Sequence, residues 1–286
     1  MRIAPNDVFP VGADAPARNL IDVRSLGEVE RGAIPGATVL PILSNEERHR
    51  VGLRYAEAGQ DAAIEEGRIL TEADMPRRAA AWRAAVTGPT AFFCWRGGLR
   101  SELAQRFTER ADTPRVQGGY KALRAHLMDG LPRGVARRDL FVLTGLTGSG
   151  KTEFLQAMSA IPGLLALDLE EAAEHRGSAF GATGRQPAQA TFDHRVALPL
   201  VLGRERLLLV EDESSHVGRV RVPPALFDVM RRRPLLHLVT TDEDRLRRIH
   251  RAYAVEPARA HGVEPVKAAL IAAITKLRQR LSGEVA

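Results

Sequence analysis

The sequence predicts an α/β protein made of two successive domains, each with a parallel sheet covered by helices. The chain has 286 residues, more than a single hydrophobic core usually serves, and 44% of them are hydrophobic. Short apolar runs alternate with stretches of helical periodicity along the whole length. Because parallel strands are joined by long crossovers, usually helices, this alternation favours parallel sheets with both faces covered.

The first half of the chain contains four apolar runs that are typical of buried strands. These runs cover residues 20–23, 38–42, 90–94 and 114–117. Residues 76–86 and 101–110 have the apolar spacing of helices. The following stretch, 129–139, is rich in Gly, Pro and Arg and shows no periodicity. We therefore place a boundary there and predict domains at 1–132 and 133–286.

The second half repeats the alternation of strands and helices. Its predicted strands are 139–144, 164–169, 206–211 and 234–239. Its predicted helices are 151–160, 188–203, 242–253 and 264–281. The second domain is thus predicted to be an α/β domain that ends in helices.

Composition narrows the class of protein. One cysteine excludes an internal disulfide framework, and no apolar run of about 18 residues is long enough to span a membrane. The N-terminus lacks the pattern of a signal peptide, so we expect a cytoplasmic protein without a membrane partner. The net charge of +6 comes mostly from arginine, and the arginine-rich segments 204–221, 231–233 and 245–251 permit contact with nucleic acid.

The only cysteine lies in the stretch FFCWRGGLRS, after a predicted strand and before a predicted helix. Ligands favour this carboxyl edge of a parallel sheet. Gly97 and Gly98 permit a turn that points successive N–H groups inward, and Arg96 and Arg100 add positive charge. Such surroundings stabilise a thiolate, or an anion carried on its sulfur. We therefore predict that Cys94, Arg96 and Arg100 are catalytic.

The stretch GLTGSGKT matches the phosphate-loop pattern G-x-x-x-x-G-K-[ST] completely. It follows an apolar strand and opens a helix, which is the context that the motif requires. Backbone N–H groups would cradle phosphates, with Lys151 on a terminal phosphate and the Thr152 hydroxyl on a Mg²⁺ ion. The predicted phosphate-binding residues are Gly145, Gly148, Ser149, Gly150, Lys151 and Thr152.

Further polar residues are predicted to support this second site. Glu211 and Asp212 end an apolar strand, where a carboxylate that coordinates Mg²⁺ would lie. A glycine-rich stretch between the loop and that strand lacks helical periodicity, and long irregular segments in compact domains are often functional. The candidates in this stretch are His175, Arg176, Ser178 and Gln186.

The first domain resembles a rhodanese domain. Two stretches before the Cys94 loop, LIDVRS at 20–25 and GAIPGA at 32–37, and one after it, VQGGYKAL at 116–123, occur in the order of that family. The resemblance implies a rhodanese-like fold in which Cys94 carries a persulfide or a related chalcogen. Rhodaneses usually have histidine before the Ile-Pro-Gly, and here that position is Ala33.

The chain also resembles the bacterial tRNA 2-selenouridine synthases, over about residues 18–255. The resemblance rests on both loops together with LDLE, HRGSAFG, QPAQ with a following Phe192, VEDES and the Met230–Arg231 pair. It implies a rhodanese domain fused to a phosphate-loop domain, and a transferase that converts wobble 2-thiouridine in tRNA to 2-selenouridine. It further implies selenophosphate and geranyl diphosphate as co-substrates, with S-geranylated thiouridine as the intermediate.

Three alternatives remain open at this point. One is a phosphate-loop kinase or ATPase with a regulatory rhodanese module. Another is a thiol phosphatase, because Cys94 and Arg100 also fit the C-x5-R spacing and the fold could bring Asp22 or Glu28 in as the acid. The third is a non-catalytic tRNA-binding remnant, because chains of the resembled family normally continue beyond a segment like the one that ends here.

Overall fold

The computed structural model describes residues 1–13, 16–110, 112–175 and 186–281. The chain divides into two compact units, Met1–Ala136 with Ala188–Arg204 and Arg137–Pro187 with Glu205–Ala286. Within the described ranges, no helix has both the length and the apolar character needed to cross a membrane.

Short strands and longer helices alternate in both units. The strands are β1 (Arg2–Ile3), β2 (Asn19–Asp22), β3 (Thr38–Val39), β4 (Thr90–Phe93), β5 (Arg115–Val116), β6 (Asp139–Thr144), β7 (Leu164–Leu167), β8 (Leu207–Glu211), β9 (His216–Val217), β10 (Val220–Arg221) and β11 (Leu235–His237). The helices are α1 (Leu26–Glu30), α2 (Asn45–Thr71), α3 (Met75–Ala85), α4 (Leu99–Phe107), α5 (Gly119–Ala136), α6 (Lys151–Met158), α7 (Leu169–Ala172), α8 (Gln189–Leu202), α9 (Pro224–Met230), α10 (Asp242–His250), α11 (Glu256–His261) and α12 (Val263–Leu281). A 3₁₀ turn (Pro5–Asp7) and a π-helical turn (Arg251–Val255) complete these elements.

The first unit is built on a five-stranded parallel sheet in the order β1-β5-β4-β2-β3. All four residues of the central strand β4 are buried, and three of them, Ala91, Phe92 and Phe93, belong to the apolar run that predicts the strand. Ile21 pairs with Phe92 across the β2–β4 ladder, and both belong to a hydrophobic core that includes Trp82. The predicted α/β fold with parallel sheets is confirmed, and β1 is an edge strand that the apolar pattern did not reveal.

The second unit contains a four-stranded parallel sheet in the order β11-β6-β8-β7, and the short antiparallel pair β9–β10. Val142 of β6 pairs with Val210 of the neighbouring strand β8. The carboxyl ends of β6 and β8 therefore lie side by side. This topology brings the residues after Thr144 and those at Glu211 to one edge of the sheet. Ligands of open α/β sheets usually bind at this edge.

Most of the Gly- and Pro-rich stretch 129–139 belongs to a helix and not to an irregular linker. Helix α5 continues to Ala136 and packs along α8. A Cβ atom on Gly130 would lie 2.9 Å from Val201 Cγ2, and one on Gly134 would lie 2.4 Å from the Leu200 carbonyl oxygen. These glycines therefore serve close helix packing. Because of this packing α8 belongs to the first unit, in contrast to the division at 132/133 expected from the sequence.

Helix α8 also supports the part of the first unit that includes Ala33. His194 is fully buried, its Nδ1 lies 2.7 Å from the Ala33 carbonyl oxygen, and its ring meets the Tyr120 ring edge-on at 5.6 Å. Burial lowers the pKa of His194 to about 4, against the smaller raising effect of the Ala33 hydrogen bond. A histidine from a distant helix thus contacts the position where rhodaneses usually have one.

We expect the stability of the protein to fall between pH 7 and pH 4 because of His194. The folded pKa lies below the ordinary value of about 6.5, so this contribution is complete above that value and is lost as the pH falls through the folded pKa. The loss amounts to at most about 3 kcal/mol at 1.36 kcal/mol per pKa unit. Urea unfolding at both pH values gives the free energy of unfolding. This free energy should depend less on pH for His194→Gln than for the control His49→Gln, which changes an exposed side chain. Equal slopes in the two variants would contradict the assignment.

Candidate active site

The thiol loop, residues 94–98, connects β4 to α4 in the first unit and contacts the segment after β5. The Tyr120 N–H donates to the Cys94 carbonyl oxygen at 2.8 Å. A Cβ atom on Gly97 would lie 2.4 Å from the Val116 carbonyl oxygen, and one on Gly119 would lie 2.2 Å from the Cys94 carbonyl oxygen. Both glycines also have positive φ angles, 67° and 58°. The two loops therefore approach backbone to backbone, and only glycine fits at these positions.

Cys94 lies at the carboxyl end of β4 as predicted, but its side chain is buried. The residue is 3% exposed and belongs to the core cluster of the first unit, together with Ala104. Its Sγ donates to Ser101 Oγ at 3.4 Å, and Ser101 Oγ in turn donates to the Gly98 carbonyl oxygen at 3.0 Å. Ser101 is a polar partner that reasoning from sequence did not select. A reaction at this sulfur requires access through the loop.

We expect native Cys94 to react with a bulky thiol reagent such as 5,5′-dithiobis(2-nitrobenzoate) at least about 10-fold more slowly than the unfolded chain does. Since Cys94 is the only cysteine, the absorbance change reports on this side chain alone. Cys94→Ser is the blank. A native rate equal to the unfolded rate would contradict the buried position of the sulfur.

The two arginines of the thiol loop have different surroundings. Arg96 is exposed. Arg100 donates to both carboxylate oxygens of Glu28, at 2.5 and 3.0 Å. Burial by itself would raise the pKa of Glu28, but the hydrogen bonds and charge of Arg100 outweigh it and hold the pKa below its ordinary value. Glu28 is therefore a charged partner of Arg100 at neutral pH and is poorly suited to donate a proton.

A buried arginine supports the thiol loop through the ring of Tyr120. Arg24 is fully buried and binds Asp22 at 2.6 Å, while burial raises the pKa of Asp22 in spite of this pairing. The Arg24 guanidinium lies 4.0 Å from the centre of the Tyr120 ring, and Tyr120 stacks on Trp95 of the loop at 5.1 Å. Asp22 is thus held in an ion pair beneath the loop, and sequence reasoning missed this supporting stack.

The phosphate loop joins β6 to α6 in the second unit, as the motif predicts. Gly148 and Gly150 have φ angles of 77° and 93°, a conformation that favours glycine. The Lys151 ammonium donates to the Gly145 carbonyl oxygen at 3.0 Å, across the mouth of the loop. The loop residues 147–150 and the first residues of α6, 151–153, line a cavity of about 1050 Å³. The loop therefore faces a space that is large enough for a phosphorylated ligand.

Carboxylates from β8, from the segment after it and from α7 also line this cavity. Oxygens of Glu170, Glu211 and Glu213 lie within 4.8 Å of one another. Burial, and then the charges of neighbouring acids such as Glu170, raise the pKa of Glu211 to about 9, although Lys151 lowers it. Burial and the same neighbour raise the pKa of Glu213 to about 7. Sequence reasoning selected Glu211 but missed Glu170 and Glu213, which approach it only in the folded chain.

The other predicted supporting residues occupy different places. His175 lines the cavity, and its buried Nδ1 has no hydrogen-bond partner within the described residues. Asp212 is exposed and does not line the cavity. The Gln186 side chain donates to the Val217 and Ala173 carbonyl oxygens at 2.9 and 3.3 Å. It therefore links backbone segments outside the cavity. The candidates Arg176 and Ser178 lie outside the described residues.

The oxygen groups around the loop suit a magnesium ion. The Thr152 hydroxyl and the Glu211 carboxylate both belong to the cavity wall. Glu211 is 1% exposed, and its Oε2 has no hydrogen-bond partner in the described chain. Hard oxygen donors of this kind are the ligands that Mg²⁺ prefers. These residues can thus hold the ion next to a phosphate on the loop.

Comparison with known proteins identifies the family. A family model described as the tRNA 2-selenouridine synthase AAA domain matches residues 138–286. A tRNA 2-selenouridine synthase from Bordetella bronchiseptica is 41% identical over 95% of this chain and 76% of its own length. One from Shewanella woodyi is 38% identical over 93% and 76%, and one from Cupriavidus necator is 40% identical over 92% and 75%.

A solved structure offers a weaker likeness. The N-terminal domain of a protein from Clostridium difficile 630 that is named for ATP/GTP binding covers 44% of this chain and 98% of its own. Its identity is 24% and its TM-score 0.39, too low for any argument about function. The sequence relatives decide the assignment, and they confirm the resemblance found from the motifs. This chain belongs to the tRNA 2-selenouridine synthase family.

Proposed function

We propose that this protein replaces sulfur by selenium in wobble 2-thiouridine of tRNA, with selenophosphate as the selenium donor and geranyl diphosphate as the activating co-substrate. The observation that carries the proposal is the presence in one family member of two chemically different sites. One is a thiol at the carboxyl edge of a parallel sheet, and the other is a phosphate loop in a cavity that a cluster of carboxylates also lines.

The phosphate-loop cavity suits the first step, transfer of the geranyl group. The sulfur of thiouridine attacks C1 of geranyl diphosphate, the C–O bond breaks, and diphosphate leaves. Loop N–H groups and Lys151 bind the charge that develops on the leaving oxygens. A Mg²⁺ ion held by Thr152 and Glu211 would add positive charge at the same oxygens. No nucleotide hydrolysis is needed for this step.

The thiol loop suits the second step, delivery of selenium. A geranylated sulfur at C2 departs as a neutral thiol once it takes up a proton, so it is a better leaving group than the unmodified sulfur. The Cys94 thiolate attacks the phosphorus of selenophosphate, the P–Se bond breaks, and the hydrogen selenide ion that is released attacks C2. The C2–S bond then breaks, geranyl thiol leaves with the proton from selenium, and water hydrolyses the phosphorylated cysteine to release phosphate. Cys94 thus relays the selenium without a change in its oxidation state, and one hard step is divided into two. Arg96 and Arg100 stabilise the anion. Because Cys94 is 3% exposed, this role requires the loop to open or a small selenium species to enter.

The direct test is mass spectrometry of tRNA nucleosides after incubation of the purified protein with 2-thiouridine tRNA. Geranylated thiouridine should form with geranyl diphosphate alone, and 2-selenouridine should form when selenophosphate is added. Nucleotide hydrolysis without either product would point to a phosphate-loop ATPase instead. Release of phosphate from an aryl phosphate would point to a phosphatase, and binding of tRNA without either product would point to a non-catalytic protein.

A further inference from the structure

Helix α10 contacts the phosphate loop so closely that position 148 of the loop must be glycine. A Cβ atom on Gly148 would lie 2.8 Å from the Arg245 carbonyl oxygen and 2.8 Å from Ile249 Cγ1. Arg245 Nε also donates to the Thr147 carbonyl oxygen at 3.2 Å. The position of α10 relative to the loop is therefore well defined, and side chains one turn further along the helix are placed beside Gly150.

Arg248 is the residue in that place. A Cβ atom on Gly150 would lie 3.3 Å from both Cζ and Nε of its guanidinium group. Nε donates to Glu153 Oε2 at 3.1 Å, which fixes the plane of the group against the first turn of α6. The Arg248 side chain lines the same cavity as Lys151.

One nitrogen of this guanidinium group lacks an acceptor. Arg248 Nη1 is buried and has no hydrogen-bond partner within the described residues. A buried, charged N–H without an acceptor is unfavourable, so such a group indicates a missing partner. The neighbouring Arg247 differs, because its two terminal nitrogens already pair with Glu243 at 2.5 Å and with Asp244 at 3.4 Å.

We propose that Arg248 binds the phosphate group that the loop holds, as a second cation beside Lys151. This inference rests on the phosphate-binding role proposed for the same cavity and names a residue that the loop motif does not contain. The planar guanidinium group presents paired N–H donors to phosphate oxygens, which a lysine ammonium does not reproduce. Two cations on one group make the site select di- and triphosphates over ligands with less charge.

The test is binding of Mg²⁺-pyrophosphate and of Mg²⁺-ATP to the full chain by isothermal titration calorimetry. For the probe that the wild type binds, Arg248→Ala should weaken binding about 10- to 100-fold, the range of a charged hydrogen bond. Arg248→Lys should fall between the alanine variant and the wild type. Arg259→Ala is the control: it removes an exposed arginine of α11 that does not line the cavity, and it should change affinity less than about 3-fold.

A second variant separates binding from folding. Glu153→Gln keeps Arg248 but removes the carboxylate that orients it, so a smaller loss of affinity is expected with an unchanged unfolding temperature. Equal affinities for Arg248→Ala and Arg259→Ala would overturn the proposal, even if tRNA binding were weakened. Binding of ATP but not pyrophosphate would contradict the geranyl diphosphate assignment alone. A wild type that binds neither probe would overturn both.

Discussion

Cys94→Ser will abolish the insertion of selenium into tRNA while leaving geranylation intact. A serine hydroxyl ionises far less readily than a thiol, so it does not attack the phosphorus of selenophosphate and no selenide is released. We expect the rate of 2-selenouridine formation to fall by about 10⁴-fold or more, the scale seen when a covalent nucleophile is removed. The measurement is mass spectrometry of nucleosides, with tRNA that already carries S-geranyl thiouridine as the substrate.

The same variant contains its own control. Geranylation of 2-thiouridine tRNA by Cys94→Ser should proceed at the wild-type rate, because that step uses the phosphate-loop cavity of the second unit. Normal geranylation shows that the second unit is folded, and an unchanged unfolding temperature would show the same for the first unit. If 2-selenouridine still forms at the native rate, Cys94 does not relay selenium and the buried thiol is a core residue.

Lys151→Ala will have the complementary effect. The lysine is placed at the mouth of the loop, 3.0 Å from the Gly145 carbonyl oxygen, where a terminal phosphate would replace that contact. Its loss removes a positive charge from the departing diphosphate, so geranylation should slow by about 100- to 1,000-fold. The measurement is the initial rate of geranyl transfer to 2-thiouridine tRNA at saturating geranyl diphosphate.

Two comparisons make this result specific. Lys267→Ala removes an exposed lysine of the same unit and should leave the rate unchanged. When Lys151→Ala is supplied with tRNA that is already geranylated, formation of 2-selenouridine should recover. Normal geranyl transfer by Lys151→Ala would mean that the loop binds another ligand.

The strands were predictable because their burial is recorded in consecutive residues. Ala91, Phe92 and Phe93 of β4 are buried, as are Leu208–Val210 of β8, so both strands appear in the sequence as short apolar runs. The stretch 129–139 does contain the point where the chain leaves the first unit, after Ala136, but its composition did not reveal that helix α5 continues as far as that residue. Positions 130 and 134 are glycine because α8 packs against them and leaves no room for a side chain. The contacting residues of α8 are about 70 positions further along the chain, so the neighbouring sequence does not reveal the contact.

The candidate sites divide in the same way. The phosphate loop was found from a contiguous motif, because one turn supplies its glycines and its lysine. Glu170 and Arg248 were missed since they come from separate elements and meet the loop only after folding. The burial of Cys94 was also beyond reach, because it depends on the Ser101 hydroxyl and on core packing against Ala104. Patterns in sequence reveal local chemistry better than they reveal exposure.

The route of the chain through α8 has a consequence for inheritance. The polypeptide leaves the first unit at Ala136, returns for residues 188–204 and leaves again, so no single break in the gene separates the two units. A piece that ended at Ala136 would retain Cys94 but lose His194 and the helix that covers Gly134. The two sites therefore cannot be divided between two chains at a single junction without removing part of the first unit.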